Sequence, residues 1–82
     1  MLKVSVISPE AVLFEGETDS VVAPAYDGEV GILTGHAPLM ALLGDGQLCL
    51  GAGAGRRFKV SGGFMQVFNN DVRIVTEKAA AI

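Results

Sequence analysis

Several side chains that could act as acids, bases or ligands lie close together in the sequence, in the stretch YDGEVGILTGHAPLM at residues 26–40. It holds the single tyrosine, Tyr26, the single histidine, His36, and two acids, Asp27 and Glu29. Triad catalysis needs a base beside a nucleophile, and the chain has no G-x-S-x-G turn to present a serine to His36. Two acids in a glycine turn are more often solvated surface than an acid–base pair. We therefore expect no catalytic residue here, and a small hydrolase is not supported.

Metal and cofactor sites are not expected either. One histidine and one cysteine, far apart, do not make a tetrahedral metal set. The glycine-rich segment 51–55 lacks the lysine and the helix of a phosphate loop, and we interpret it as a hairpin loop. Two roles stay open for His36, which lies between Gly35 and Pro38. Its ring either bonds loop carbonyls and holds the turn, or contacts a partner protein.

Period-two alternation predicts four half-buried strands that would position these residues. In the first, Leu2 and Val4 point to one face and Lys3 to the other. The same pattern recurs at residues 47–50, 57–60 and 72–74. Glycine-rich turns separate the strands at short spacing, which indicates an all-β fold, an antiparallel sandwich or barrel.

The chain is short enough for one domain, which we place at residues 1–76. The tail, residues 77–82, has the alanine-rich composition of a helix about to begin. Isolated helices shorter than about 12 residues are marginal, so the tail is predicted to fray.

Three further segments are apolar on both faces: Val30–Leu33, Leu39–Leu43 and Phe64–Phe68. A sheet in a two-layer fold has one inward face, so their second face needs another cover. Either sheet twist and edge strands hide these side chains, or another chain covers them.

Composition also favours a partner. Half of the residues are hydrophobic and the mean hydropathy is +0.46, a high value for so small a domain. The net charge of −3 argues against nucleic acid binding. Six of the nine acids precede residue 42 and five of the six bases follow it, an asymmetry that can orient the chain on a partner. No membrane-length apolar run or signal peptide is found, so a soluble, non-secreted chain is expected.

Four ordered blocks carry a resemblance to a known family. They are Ser8–Glu10 with Leu13–Gly16, then Gly28–Leu33, then Gly35–Leu39, then Ser61–Gly63. Together they run nearly end to end, and the chain resembles the epsilon subunit of F-type rotary ATP synthases in its N-terminal domain. The resemblance implies a flattened antiparallel β-sandwich of about ten short strands in two sheets.

It also implies a function. Such a domain is a non-catalytic rotor subunit of the central stalk, bound between the gamma subunit and the ring of c subunits. It couples proton transport to ATP synthesis, peripheral to the cytoplasmic face of the bacterial cell membrane. The resemblance assigns the c-ring contact to Asp27, Glu29 and His36, and the gamma contact to Leu39, Met40 and Leu42. Without gamma, the isolated chain is expected to self-associate through its apolar face.

Two departures from the family pattern matter. Thr34 stands where many members have proline, which makes the loop less rigid. The family usually continues into a C-terminal helical hairpin that binds ATP and acts as a brake, whereas this sequence ends at Ile82. A short form without that inhibitory domain is expected, either natural or truncated.

A lipoyl or biotinyl carrier domain is the alternative, since those domains are also small and all-β. They present a modified lysine at a hairpin tip. Here Lys59 lies within an alternating strand, and Lys3 and Lys78 lie near the ends, so that feature is missing.

Overall fold

A computed structural model describes residues 1–51 and 55–82, and the elements within these ranges are all β-strands. The centre of the hairpin loop predicted at residues 51–55 lies outside the described residues. The strands are β1 Leu2–Ile7, β2 Val12–Thr18, β3 Ser20–Ala25, β4 Gly28–Leu33, β5 Leu39–Leu42, β6 Asp45–Leu50, β7 Arg56–Ser61, β8 Phe64–Phe68, β9 Asp71–Val75 and β10 Lys78–Ala81.

The strands form two five-stranded sheets, which confirms the predicted sandwich. The first sheet has the order β2-β1-β9-β8-β5 and the second the order β10-β7-β6-β3-β4. All described pairs are antiparallel except β1 with β9, which run parallel. That pair departs from the antiparallel prediction. Because β1 and β9 are far apart in the chain, no short hairpin forces them to run in opposite directions.

The core lies between the sheets and consists of the apolar sides of alternating strands. All four predicted alternations are confirmed, since the buried side chains include Leu2, Val4, Val6, Leu48, Leu50, Phe58, Val60, Val72 and Ile74. Phe14 of the first sheet meets Phe58 of the second edge to face, with ring centroids 6.4 Å apart. The two layers are therefore packed into one body.

The predicted frayed tail is wrong. Lys78–Ala81 forms strand β10, which pairs antiparallel with β7 from Ser61 to Phe58. The half-buried side chain of Ala79 packs against the core. An isolated-helix argument fails because β7 offers the tail an open sheet edge, and pairing there satisfies its backbone groups.

Buried Thr76 fixes the chain just before this strand. Its hydroxyl oxygen lies 2.9 Å from the carbonyl oxygen of Lys78, 3.0 Å from that of Gly62 and 3.3 Å from that of Ser61. The hydroxyl thus joins the start of β10 to the β7–β8 turn.

The β7–β8 turn carries the chain from the second sheet to the first. It uses two left-handed glycines, Gly62 with φ 70° and Gly63 with φ 101°. A Cβ atom on Gly63 would also collide with the carbonyl oxygen of Val75. The turn therefore demands glycine on two grounds, backbone conformation and space.

Candidate docking surfaces

The turn between β3 and β4 places the two acids in solvent. We name residues Tyr26–Glu29 the acidic turn. Tyr26 is 81% exposed, and Asp27 and Glu29 are also exposed. Gly28, with φ 133°, makes the reversal that brings β4 back along β3.

The backbone on either side of the acidic turn is tied to the next part of the chain. The amide nitrogen of Tyr26 donates to the carbonyl oxygen of Leu42 at 2.7 Å, and that of Gly44 donates to the carbonyl oxygen of Pro24 at 2.8 Å. Ala25 and Leu43 form an isolated β-bridge between these two bonds. The acidic turn is therefore held against the end of β5.

An open groove of about 630 Å³ lies between the acidic turn and β5. Its lining includes Asp27 and Glu29 on one side and Leu39, Met40 and Leu42 on the other. The family resemblance assigns the first pair to the c-ring and the three apolar residues to gamma. The structure brings the two sets together along one groove.

Strand β5 separates the three predicted gamma contacts by direction. Leu39 is opposite buried Val67 and packs half-buried against the core. Met40 and Leu42 point outward and are 63% and 68% exposed. Two of the three residues therefore have side chains open to a partner, while Leu39 supports the strand from within.

His36 lies away from the acids with which it was grouped. About 14 Å of extended strand carries β4 from Glu29 to Leu33, and His36 follows beyond that end. Its ring Nδ1 lies 2.7 Å from the carbonyl oxygen of Ala37 and carries the proton of that hydrogen bond, since a carbonyl only accepts. The ring therefore bonds a loop carbonyl, as the loop-holding role requires, and contact with a partner protein stays a prediction.

The β8–β9 turn fixes the His36 loop from outside. The amide of Gly35 donates to Oδ1 of Asn70 at 2.7 Å, and the amide of His36 donates to the carbonyl oxygen of Leu33 at 3.1 Å. Asn69 and Asn70 both adopt left-handed backbone conformations in that turn. His36 therefore belongs to the end of the sandwich opposite the acidic turn.

A row of apolar side chains crosses the outer face of the first sheet. Successive pairings join Leu42 to Phe64, Phe64 to Val75, Val75 to Ile7, and Ile7 to Val12. We name these five residues the apolar row. At about 4.8 Å per strand it is about 19 Å long, and it reaches the groove at Leu42. The neighbouring row is mostly polar, with Gln66, Arg73, Ser5 and Glu15.

The segments that are apolar on both faces keep part of their apolar surface exposed in the fold. Met40, Leu42, Phe68 and Leu33 remain exposed, so internal packing does not hide them. The sequence missed Ile7, Val12 and Val75 as members of this surface. Each is an apolar residue on the outer, solvent-facing side of its strand. Their alignment into one row depends on the register of all five strands.

The lysines do not lie where a carrier domain requires one. All three lie within strands, Lys3 in β1, Lys59 in β7 and Lys78 in β10, and not at a hairpin tip.

Metal-binding clusters and membrane-spanning helices were also considered. In the described parts of the chain, no three His, Cys, Asp or Glu side chains come close enough to hold a metal ion. No helix that could span a membrane is found in residues 1–51 and 55–82.

A family model and individual relatives both match this chain to the same family. The family model for the ATP synthase, Delta/Epsilon chain, beta-sandwich domain matches residues 1–82. An ATP synthase epsilon chain of Leptospira borgpetersenii is 49% identical over 80 residues, covering 96% of this chain and 63% of the relative. That of Syntrophomonas wolfei is 42% identical over 76 residues, covering 90% of this chain and 56% of the relative. The chain thus spans less than two thirds of these relatives.

A solved structure has the same fold. A chain in the Euglena gracilis mitochondrial ATP synthase, in a structure containing OSCP, F1 and the c-ring, aligns with a TM-score of 0.89 at 24% identity. The alignment covers 98% of this chain and 52% of that chain.

Proposed function

This chain belongs to the family of the β-sandwich domain of the ATP synthase delta/epsilon chain, and on that basis we propose that it is a non-catalytic rotor subunit of an F-type ATP synthase. In this role it binds gamma and docks on the c-ring, so that rotation of the ring turns the shaft and couples proton transport to ATP synthesis. The complex places it peripherally at the cytoplasmic face of a bacterial cell membrane.

The apolar row is the observation that carries this proposal. The inward face of the first sheet is packed against the second sheet, and residues 1–51 and 55–82 form no third layer that would cover its outer face. Leu42 and Val12 at its two ends are exposed, and Ile7, Phe64 and Val75 between them are half-buried. An apolar strip of this kind suits a permanent protein partner, which we take to be gamma.

The gamma contact follows from the outward side of β5. Met40 and Leu42 contact gamma, together with the rest of the apolar row. Leu39 takes part indirectly, because its packing against the core keeps β5 in place. The gamma-facing surface is thus a sheet face supported by a dense core, which resists bending under torque.

The ring contact follows from the acidic turn. Asp27 and Glu29 project into solvent, and their negative charge suits basic loops on the ring. His36 lies at the other end of the sandwich, so its contact with the ring would need a second point of docking. We therefore assign the main ring contact to Asp27 and Glu29.

A pull-down of gamma tests the assignment of the face. Leu42→Asp should abolish capture of gamma, because a charge buried at an apolar interface without a partner is costly. Leu33→Asp is the matched control, since Leu33 is similarly exposed but lies on the second sheet. Capture that survives Leu42→Asp unchanged, or that is lost equally in both variants, contradicts the assignment.

A further inference from the structure

Strand β10 is an edge strand of the second sheet, and the side that faces away from β7 pairs with no strand of residues 1–51 and 55–82. We name this side the open edge. Towards β7, the amide of Ile82 donates to the carbonyl oxygen of Arg57 at 3.1 Å. Bonding alternates along an antiparallel strand, so Ala80 also bonds to β7, whereas the amides and carbonyls of Ala79 and Ala81 point to the open edge. The open edge therefore offers two donors and two acceptors to an incoming strand.

The outer face of the second sheet is basic beside the open edge. Lys78 of β10 stands opposite Ser61, and Lys59 of β7 stands opposite Ala80. Both lysines project from the outer face and are exposed, as is Arg57 two residues further along β7. Three of the six bases thus form one strip, in a chain whose net charge is −3. Such a strip favours a partner with negative charge.

An open cavity of about 340 Å³ lies between the two lysines and the alanines of β10. Asp45 is the one acid in its lining, and its Oδ1 already accepts a hydrogen bond from the hydroxyl of Ser61 at 2.7 Å. The side chains of Ala79 and Ala80 are single methyl groups that fill little of this space. A neighbouring strand therefore has room to place larger side chains beside them.

We propose that the open edge of β10 pairs with an extended segment of a partner protein in which acidic and apolar residues alternate. In an antiparallel arrangement, the partner residues opposite Ala79 and Ala81 exchange backbone hydrogen bonds with them. These are the apolar residues, whose side chains point toward the interior of the sandwich. The acidic residues between them point to the outer face, and one of them lies opposite Lys78 and pairs with it directly.

A second acidic residue of the partner lies opposite Ala80 and reaches Lys59. The two residues are about 10 Å apart, which is two strand spacings, and the small alanine between them leaves the path open. The long side chain of lysine can span much of this distance. Backbone bonds give such pairing its affinity, and the alternating side chains give it specificity.

The open edge is remote from both surfaces of the proposed rotor function. β10 and β4 form opposite edges of the second sheet, about 19 Å apart, and the acidic turn leads into β4. The apolar row lies on the first sheet. A strand on the open edge would thus belong to a third partner, and the inference does not depend on binding to gamma or to the ring.

Three peptides of five residues test the proposal. Acetyl-Glu-Val-Glu-Val-Glu-amide carries the proposed pattern, and acetyl-Gln-Val-Gln-Val-Gln-amide removes its charge. The third peptide keeps the glutamates but has N-methylvaline at both valine positions, which removes the two amide donors that would face β10. Each is titrated into the 82-residue chain, and amide shifts are followed by NMR. The first peptide should shift residues 57–61 and 78–82, the second should bind more weakly, and the third should not bind detectably.

Variants of the chain separate the charge from the backbone. Lys59→Gln should raise the dissociation constant of the glutamate peptide about two- to fivefold, the range of one exposed ion pair. Lys3→Gln is the control, because Lys3 is an exposed lysine on the first sheet. Ala81→Pro removes the amide that faces the open edge but no bond to β7, so it should abolish binding without loss of the strand. The NMR spectra show at the same time that each variant is folded.

Equal affinity for the glutamate and glutamine peptides would overturn the proposal, as would equal affinity for the N-methylated peptide or shifts confined to other residues. Vesicles of phosphatidylglycerol provide a further comparison, since an anionic lipid surface would use the basic strip without the backbone of β10. If such vesicles perturb residues 57–61 and 78–82 and the glutamate peptide does not, the strip binds lipid and the proposed strand pairing is wrong.

Discussion

The amide nitrogen of Tyr26 donates a hydrogen bond to the carbonyl oxygen of Leu42, with the two atoms 2.7 Å apart. This bond joins the acidic turn, our proposed ring contact, to the end of β5, where the apolar row begins. A load applied to the turn therefore passes directly into the sheet that we assign to gamma. The two proposed interfaces are adjacent parts of one stiff structure.

The charge on the acidic turn should govern docking on the ring. The complex of this chain with gamma is allowed to bind liposomes that contain the c-ring, and the association rate is measured at several salt concentrations. Replacing both acids, Asp27→Asn with Glu29→Gln, should lower this rate and weaken its dependence on salt, because exposed charges act mainly on the rate of encounter. Glu17→Gln changes an exposed acid on β2 as a control. An unchanged rate and salt slope in the double variant would count against ring docking through this turn.

The apolar row should cause association when gamma is missing. We expect the isolated chain to sediment as a mixture whose mean mass rises with concentration. Val12→Asp, at the far end of the row from Leu42, should shift the mixture toward monomer, whereas Leu33→Asp on the second sheet should not. Analytical ultracentrifugation measures this. A monomer at all concentrations, or equal effects of the two substitutions, would argue against self-association through the row.

The hydroxyl of Thr76 should stabilise the fold. Thr76→Val keeps the shape but removes the donor shared with the carbonyl oxygens of Gly62 and Lys78. The free energy of unfolding should fall by about 1–3 kcal/mol, the cost of leaving a buried polar group without its partner. Urea denaturation provides the measurement. Thr34→Val, at an exposed loop position, should change the value by no more than about 0.5 kcal/mol. Equal stabilities of the two variants would contradict this role.

Gly63 should tolerate no side chain. Gly63→Ala places a Cβ atom against the carbonyl oxygen of Val75 at a backbone φ of 101°, so the turn must distort. We expect a loss of more than about 1 kcal/mol in the free energy of unfolding. Gly31→Ala is the control, because nothing lies within 4 Å of the added atom and the position faces solvent. A thermal or urea transition of Gly63→Ala that matches the control would refute the steric argument.

Much of the fold could be predicted from the sequence, because period-two alternation depends on neighbouring residues alone. It gave β1, β6, β7 and β9 with their buried sides. The tail was misjudged because its structure depends on the open edge of β7, which is remote in the chain. The parallel pairing of β1 with β9 has no local signal either.

The site was predicted in composition but not in arrangement. Alternation along β5 separates Leu39 from Met40 and Leu42, but the direction of the core was needed to tell which side faces out. His36 is close to Glu29 in sequence, yet an extended strand carries it to the opposite end of the sandwich. The apolar row depends on the register of five strands and is therefore a property of the folded sheet.

Co-purification with gamma tests the rotor function most directly. The chain is co-expressed with the gamma subunit of the same organism, and the product is examined by size-exclusion chromatography with light scattering. We expect a stable one-to-one complex whose mass is the sum of the two chains. A chain that elutes by itself, with gamma absent from its peak, would contradict the proposed function.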